Sequence, residues 1–391
     1  MNKRTFSAGA HRFGAGERVC IIAEIGTGHN GDPLKAQRLI DAAREAGADC
    51  VKFQMVYAEE ILHPMCGDVP LPTGNIPLFN RFRDLELPLD FYIRMAQYAR
   101  ERDMLFLCTP FGLRSARDLR TVYARSGYST EEAWVKIASP ELNHTELLSE
   151  VASFDWPIVL STGVSRMSDI ERALECTEKT TGDRALLHCV TSYPAPEQDY
   201  NLHILDHLSG LFNIAVGVSD HSLDPVLVPT LATACGACIV EKHICLSRTD
   251  PGLDDPVALP PDQFALMCKR IRRASAEGRE RTIRSLEEER GKELIDRILG
   301  TGEKKLARSE LANYGRTNRS LHYLRDLSQG TILERKDFAA LRTEKILSPG
   351  IHPDYTDLIE GAVLARNVNN GDGIRLEDII VRSADNTRNN A

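Results

Sequence analysis

Two histidines pose the first chemical question. His221 closes the run IAVGVSDH and His243 closes CIVEKH. Neutral imidazole binds divalent first-row metals, and two such ligands leave coordination positions for water and substrate. Asp220 and Glu241 beside them favour that use over two separate local hydrogen bonds. Lys52, Lys136 and Lys242 leave apolar runs, as do the hydroxyl residues Thr109, Ser139, Ser161, Thr162 and Ser219. Ammonium and hydroxyl groups together make a cradle for phosphate or carboxylate. The alternative for a lysine is to snorkel to the surface. Glu24 and Glu141 can each act as a general base or hold a metal-bound water, or else pair with a neighbouring lysine. Cys235 and Cys238 form a CxxC, but no second pair at zinc-site spacing accompanies them, so they read as two packed thiols.

The elements that carry these residues are eight short apolar runs: CIIAEIG (20–26), CVKFQ (50–54), MLFLCTP (104–110), WVKIASPE (134–141), PIVLSTG (157–163), ALLHCVTSY (185–193), IAVGVSDH (214–221) and CIVEKH (238–243). Continuous β-branched and apolar runs are the pattern of parallel strands covered on both faces. Helical periodicity separates them. Pro33 opens one helix, Leu39, Ile40, Ala43 and Ala46 form its inward stripe, and Gly47 stops it. Further helices are expected over 90–103, 167–177, 225–235 and 261–273. The pattern predicts an α/β fold, a (β/α)₈ barrel, whose chemistry sits at the C-terminal strand ends. His221 and His243 then come from neighbouring strand ends. The stretch 58–88, with Pro64, Pro70, Pro72, Pro77 and Pro88, reads as a long irregular loop over the barrel mouth. Residues 1–18 read as a polar lead-in with a short hairpin closing the floor.

The chain of 391 residues has room for one barrel-sized domain and a smaller one. A net charge of −8 argues against a nucleic-acid footprint and against an anionic membrane surface, while a local lysine cluster still allows an anionic substrate. No apolar stretch approaches the roughly 20 residues of a membrane helix, and the N-terminus lacks the apolar core of a signal peptide. Scattered cysteines in strands and helices suit reduced thiols, and a cytoplasmic location is expected.

Three domains follow: a barrel over 1–280, a charged helical linker over 281–317 that reads as solvated, and a small β-rich domain over 318–391. The last has two similar halves, DLSQGTILERKDF and NVNNGDGIRLEDI, each reading as strand, glycine turn, strand and acidic turn.

Eight ordered motifs, AEIGTGHNGD, DAAREAGADCVKFQ, CTPF, KIASPE, LSTG, HCVTSYPAP, GVSDHS and EKH, resemble the sialic acid (N-acetylneuraminate) synthase family. The C-terminal segment resembles the antifreeze-like SAF domain, a β-clip, that follows the barrel there. The resemblance implies a transferase that condenses phosphoenolpyruvate with an N-acetylmannosamine-type amino-hexose and water, giving a nine-carbon nonulosonic acid and phosphate. It implies a divalent metal, Mn²⁺ before Mg²⁺ or Co²⁺, on His221 and His243. Phosphoenolpyruvate would be held by Lys52, Thr109, Lys136, Ser139, Ser161, Thr191 and Ser219. Glu141 would orient or deprotonate the attacking water, and Glu24 would stand by sugar and metal. Gln54, Asn75, Tyr193 and Asp254 would contact the sugar. A domain-swapped homodimer is implied, the SAF domain capping a partner's active site.

Three positions depart from the family pattern. Asp255 stands where histidine is common, Ser348 replaces an arginine before Pro349-Gly350, and Thr191 stands where some members have asparagine. Lys345 and Arg342 are the candidates to replace the missing arginine. The sugar-side changes also fit a pseudaminic or legionaminic acid synthase, or a spore-coat polysaccharide synthase-like protein. A phosphoenolpyruvate-condensing barrel for phosphorylated sugars lacks an SAF domain. An inactive sugar-binding paralogue would have no reason to keep Glu24, Lys52, Lys136, Glu141, His221 and His243 together.

Overall fold

A computed structural model of the chain describes residues 4–14, 16–71, 74–344 and 346–380. Its centre is a parallel sheet of eight strands: β1 (Cys20–Gly26), β2 (Cys50–Met55), β3 (Leu105–Pro110), β4 (Val135–Ile137), β5 (Ile158–Ser161), β6 (Arg184–Cys189), β7 (Ala215–Asp220) and β8 (Ile239–His243). Hydrogen-bonded neighbours run β3-β2-β1-β8-β7-β6-β5-β4. β1 and β8 pair directly, with His243 opposite Glu24, so first and last strands meet as a barrel requires. The expected (β/α)₈ barrel is what the chain forms.

Side chains rather than a ladder close the seam between β3 and β4. The Trp134 indole N–H donates to the Phe106 carbonyl at 2.8 Å. The Tyr123 hydroxyl lies 2.8 Å from the Trp134 carbonyl and 3.1 Å from that of Phe106. Below the seam, the hairpin of Thr5–Ala8 and His11–Gly14 seals the floor. Its Phe6 ring packs 5.9 Å from Trp134.

The first helix, Pro33–Ala46, shows how the sequence writes these elements. Asp32 caps it by accepting from Leu34 N, Pro33 starts it, and Gly47 ends it at φ 95°. Leu39, Ile40, Ala43 and Ala46 are buried as their spacing predicts.

Two expectations are corrected. The stretch 58–88 is not irregular. It carries helices Ala58–Ile61 and Leu78–Asp84 and a hairpin of Asp68–Leu71 with Gly74–Pro77. Ile61, Leu62, Cys66, Leu78 and Phe79 give it a small core with Phe111. Pro64, Pro77 and Pro88 misled because they stand at helix starts, where a missing N–H costs nothing; Pro70 lies in a hairpin strand, and Pro72 lies outside the described residues. Nor is the linker merely solvated. Helices Arg279–Arg290 and Lys292–Leu299 bury Leu286, Ile295, Ile298 and Leu299 against the barrel. Most of their charges line the outer face, while Arg279 and Arg290 pair with Asp206 and Asp224 of the barrel.

The C-terminal domain repeats one unit twice. Arg325 Nε donates to Asp337 Oδ1 at 2.8 Å, and Arg366 Nε donates to Asp378 Oδ1 at 2.7 Å. Both aspartates are fully buried in 3₁₀ turns, and their other oxygens accept from the N–H of Glu334 and Arg375. Gly330 and Gly371 take φ 84° and 87° in the matching turns. The likeness of the two sequence halves is therefore a likeness of structure. Among the described residues no helix is long and apolar enough to cross a membrane.

The seam gives a first prediction. Tyr123→Phe, which removes one buried hydroxyl and leaves carbonyls short of a donor, lowers the unfolding free energy by about 1–3 kcal/mol in urea titration. An unchanged midpoint would show that Trp134 closes the barrel alone.

Candidate active site

Side chains on a strand alternate between the barrel lumen and the helix layer. That parity sorts the candidates. Glu24, Lys52, Gln54, Thr109, Lys136, Ser161, Ser219, Glu241 and His243 share the inward register. Lys242 does not. It points outward, fully buried, with Nζ 2.6 Å from Asp220 Oδ2 and a bond to the Ser222 carbonyl. Lys242 is therefore a structural ion pair and no part of an anion cradle. Thr162 also turns away, its hydroxyl donating to the Leu187 carbonyl.

In the lumen, Lys52 Nζ stands 2.7 Å from Glu24 Oε2, 3.2 Å from Thr109 Oγ1 and 3.4 Å from Glu241 Oε1. Lys136 Nζ reaches the same Glu241 oxygen at 3.5 Å, and Ser219 Oγ donates to it at 3.1 Å. Burial alone would lower both lysines. Glu24 and Glu241 outweigh it at Lys52, which is raised, while Lys136 remains lowered. Burial would raise Glu241, yet Lys136, Lys52, His243 and Ser219 hold it down to about 2. Glu24 goes the other way, raised by burial despite Lys52. Glu241 is thus the principal counter-charge, a role the sequence reading did not assign. Its alternation with His243 was the available signal.

A backbone irregularity after Glu24 shifts the register between β1 and β2, and such bulges re-aim side chains. Gln54 Nε2 donates to Glu24 Oε1 at 2.9 Å. Asp254 joins them: a Cβ built on Gly26 would lie 3.1 Å from Glu24 Oε1, 3.3 Å from Gln54 Nε2 and 3.5 Å from Asp254 Oδ2. Asp255 serves the loop instead, accepting from Gly252 N at 2.9 Å.

The two histidines come together as expected. Their ring centroids are 5.7 Å apart, and the Tyr193 ring stacks on His221 at 4.2 Å. His221 Nδ1 bonds the Val190 carbonyl at 3.0 Å, which makes that nitrogen the donor and leaves the lone pair on Nε2. Burial lowers His243 to about 4, so its ring is neutral. At His221 burial is outweighed by the Cys189 thiol, the Val190 carbonyl and Asp220, which lift it to about 8. Among the described residues no three His, Cys, Asp or Glu side chains form a complete cage. Two neighbouring imidazoles are a donor set of the kind that a divalent first-row metal takes.

A second cradle lies across the mouth. Gly163 N donates to Ser139 Oγ at 3.0 Å. A Cβ on Gly163 would meet Thr191 Oγ1 at 2.1 Å, Ser139 Oγ at 2.9 Å and Cys189 Sγ at 3.0 Å. Only glycine lets those atoms approach its backbone so closely, and Ser161 Oγ is buried with no hydrogen-bond partner among the described residues. Asn75 stands apart: it is exposed on the hairpin strand Gly74–Pro77.

The C-terminal domain roofs the mouth within one chain. Glu141 Oε1 receives Arg319 Nη2 at 2.9 Å and Arg342 Nη2 at 2.7 Å, and both Nε groups also reach it. Arg319 is fully buried and also donates to the carbonyls of Phe111, Glu60, Ile61 and Ala340. Asn143 doubles the joint, exchanging two hydrogen bonds with the Arg319 backbone. His63, from the stretch over the mouth, meets Asn370 at 3.0 Å. Of the two arginine candidates, Arg342 reaches the mouth and Lys345 lies outside the described residues. Ser348 is exposed. Arg319 was missed. Its signal was a charge at the start of RSLHY, a run otherwise suited to a buried strand.

With this geometry in hand, the sequence matches the NeuB family over residues 39–281 and the SAF domain over residues 318–380. The chain belongs to the NeuB family. It is 33% identical to the spore coat polysaccharide biosynthesis protein SpsE of Bacillus subtilis, over 94% of this chain and 95% of that one. The N,N'-diacetyllegionaminic acid synthase of Legionella pneumophila is 30% identical over 92% of this chain and 94% of its own. The crystal structure of Bacillus subtilis SpsE superposes with a TM-score of 0.80, covering 97% of this chain and all of that one at 30% identity. An N-acetylneuraminic acid synthetase from Leptospira borgpetersenii, solved with citrate, superposes with a TM-score of 0.62 over 80% of this chain and 95% of its own at 28% identity.

Removing Arg319 tests the roof of this NeuB-family barrel. Arg319→Met leaves five buried acceptors short of a donor and is expected to cost about 3–5 kcal/mol. Limited proteolysis should then cut between the barrel and the SAF domain. A variant as resistant as the parent would show that Arg342 and Asn143 suffice.

Proposed function

We propose that this chain condenses phosphoenolpyruvate with an amino-hexose of the N-acetylmannosamine type, releasing phosphate and a nine-carbon sugar acid. The observation that carries the reading is the pairing of two anion-binding groups with an imidazole pair at one barrel mouth. Lys52 and Lys136, with Thr109 and Ser219, suit a carboxylate or phosphate. The hydroxyls of Ser139, Ser161 and Thr191, gathered at that second cradle, suit phosphate oxygens. Tyr193, Gln54, Asp254 and Glu24 line the side toward the histidines, where a sugar fits.

A divalent metal such as Mn²⁺, held by His221 and His243, would polarise the aldehyde oxygen of the open-chain sugar. The lysines and hydroxyls hold phosphoenolpyruvate so that its C3 faces that aldehyde carbon, a contribution of position and field. As the C3–carbon bond forms, positive charge develops at C2. Water adds there, and the resulting tetrahedral carbon expels phosphate by C–O cleavage. Glu141, fixed by two guanidinium groups through Oε1, has a second oxygen with no hydrogen-bond partner among the described residues. We assign that oxygen to orienting the water.

A di-N-acetylated hexose is the second reading, supported by the likeness to a legionaminic acid synthase. The domain-swapped homodimer is retained in the proposal as an exchange of the Glu141 contact between two chains. Sedimentation of the purified chain reads it directly, a monomer mass counting against it.

Phosphate release from phosphoenolpyruvate with Mn²⁺, across N-acetylmannosamine, mannose and di-N-acetylated hexoses, tests the reaction. Release with one sugar, abolished in His221→Ala, is the expected outcome. No release with any sugar despite bound phosphoenolpyruvate would sink it. Metal affinity should also depend on pH. His221, at about 8, must lose its proton to ligate, while His243, at about 4, has already lost it. Apparent Mn²⁺ affinity should fall about tenfold per unit as pH drops below that of His221. Calorimetry from acid to mildly alkaline pH reads this, and a flat profile would contradict it.

A further inference from the structure

The segment after the last barrel helix does more than connect two domains. Residues 304–318 run past the loops that follow β5 and β6 and hold their backbone groups one by one. Lys304 Nζ donates to the Thr162 carbonyl at 2.9 Å. Glu310 Oε1 accepts from Val164 N at 2.7 Å and from Thr191 N at 2.8 Å. Its Oε2 accepts from Ala307 N at 3.0 Å, within its own segment. Asn313 Nδ2 donates to the Thr191 carbonyl at 3.3 Å, and Asn318 Nδ2 to the Val164 carbonyl at 3.1 Å.

Both residues next to Gly163 and the backbone of Thr191 are therefore tied to one stretch of chain. A single carboxylate oxygen spans the two loops and so fixes their separation. The held backbone is strained. Val164 has φ 41°, a region that a β-branched residue occupies only when its surroundings over-determine it. Here its N–H and its carbonyl are each fixed by a separate side chain. Next to it lies Gly163, whose missing Cβ lets Thr191 Oγ1, Ser139 Oγ and Cys189 Sγ close in on its backbone. Nothing in simple connection of the domains requires a strained residue at that place.

We propose that Lys304–Asn318 is a clamp that sets the phosphate cradle for phosphoenolpyruvate, with Glu310 as its central positioning residue. The inference rests on the reaction given under Proposed function. Glu310 acts through the backbone of Val164 and Thr191. The buried Lys304 ammonium balances its charge, so a carboxylate can stand near an anion site.

The test uses the full-length chain with Mn²⁺, phosphoenolpyruvate binding by calorimetry, and steady-state kinetics for both substrates. Glu310→Ala should raise Kd and KM for phosphoenolpyruvate by about tenfold or more, with the sugar KM changed by less than about twofold. Glu310→Gln keeps a carbonyl oxygen for both N–H groups and should retain most of the affinity. Val164→Gly in the Glu310→Ala background should recover much of the loss, because glycine holds a left-handed φ without restraint. Thermal melting checks folding. Where Glu310→Ala fails to fold, Asn318→Ala, which frees the Val164 carbonyl and the Gly315 N–H and leaves both Glu310 contacts in place, is measured instead and should raise the same Kd and KM. A folded Glu310→Ala that binds phosphoenolpyruvate like the parent overturns the clamp alone. So does equal loss for both substrates, or a loss that neither Gln nor Val164→Gly relieves. A parent chain that binds no phosphoenolpyruvate overturns the reading of the site and the clamp with it.

Discussion

Two ammonium groups stand inside this barrel because Glu241 stands between them. An unpaired buried charge costs several kcal/mol, and a second like charge beside it costs more. Glu241 Oε1 lies within 3.5 Å of both Lys52 and Lys136 and also accepts from Ser219. Glu24 adds a second carboxylate on Lys52. The lysines are therefore held in place by the lumen itself. An anion arriving at the mouth meets donors already oriented, so little reorganisation is left for the moment of reaction. Of the two carboxylates, burial raises Glu24 while the lysines keep Glu241 ionised. The two differ because Glu241 answers to both lysines and Glu24 to one.

The period of the strand decides what the rest of each β-segment can do. In EKH, Glu241 and His243 face the lumen, so Lys242 must face the helices. There it needs Asp220, itself placed outward because Ser219 and His221 face in. One pattern produces two ion-pair systems on opposite faces of the same two strands. The outer one braces the barrel wall, and the inner one is left for chemistry.

Much of this was legible in the chain because buried parallel strands and amphipathic helices leave local signatures. The eight runs, the Pro33–Ala46 helix and the histidine pair all follow from short-range pattern. Lys242 was misplaced by attention to residue type over parity. The clamp and the roof were not legible for a different reason. Arg319 meets Glu141, and Glu310 meets Val164, across long stretches of sequence. No periodicity announces such a pairing. The charged outer faces of the helices at 279–299 hid their apolar inner faces, and Pro64, Pro77 and Pro88 marked helix starts rather than an absence of structure. Asn75 lies exposed on the hairpin strand Gly74–Pro77, a position that the motif alone did not give.

Under the proposed reaction, the anion and the sugar are recognised by different kinds of structure. The anion side is built from strand ends locked by lumen ion pairs, where a change of one group unbalances the others. The sugar side is assembled from Tyr193 on a loop, Asp254 on another loop and Arg342 on the SAF domain. Arg342 reaches the mouth through a contact centred on one carboxylate, Glu141. A shift of the SAF domain or of the Asp254 loop changes that side while leaving Lys52, Lys136 and Glu241 where they are. Relatives at about this chain's level of identity are named for legionaminic and for N-acetylneuraminic acids. A barrel that holds the anion on strand ends, and meets the sugar partly through a loop and a second domain, lets the sugar side diverge separately.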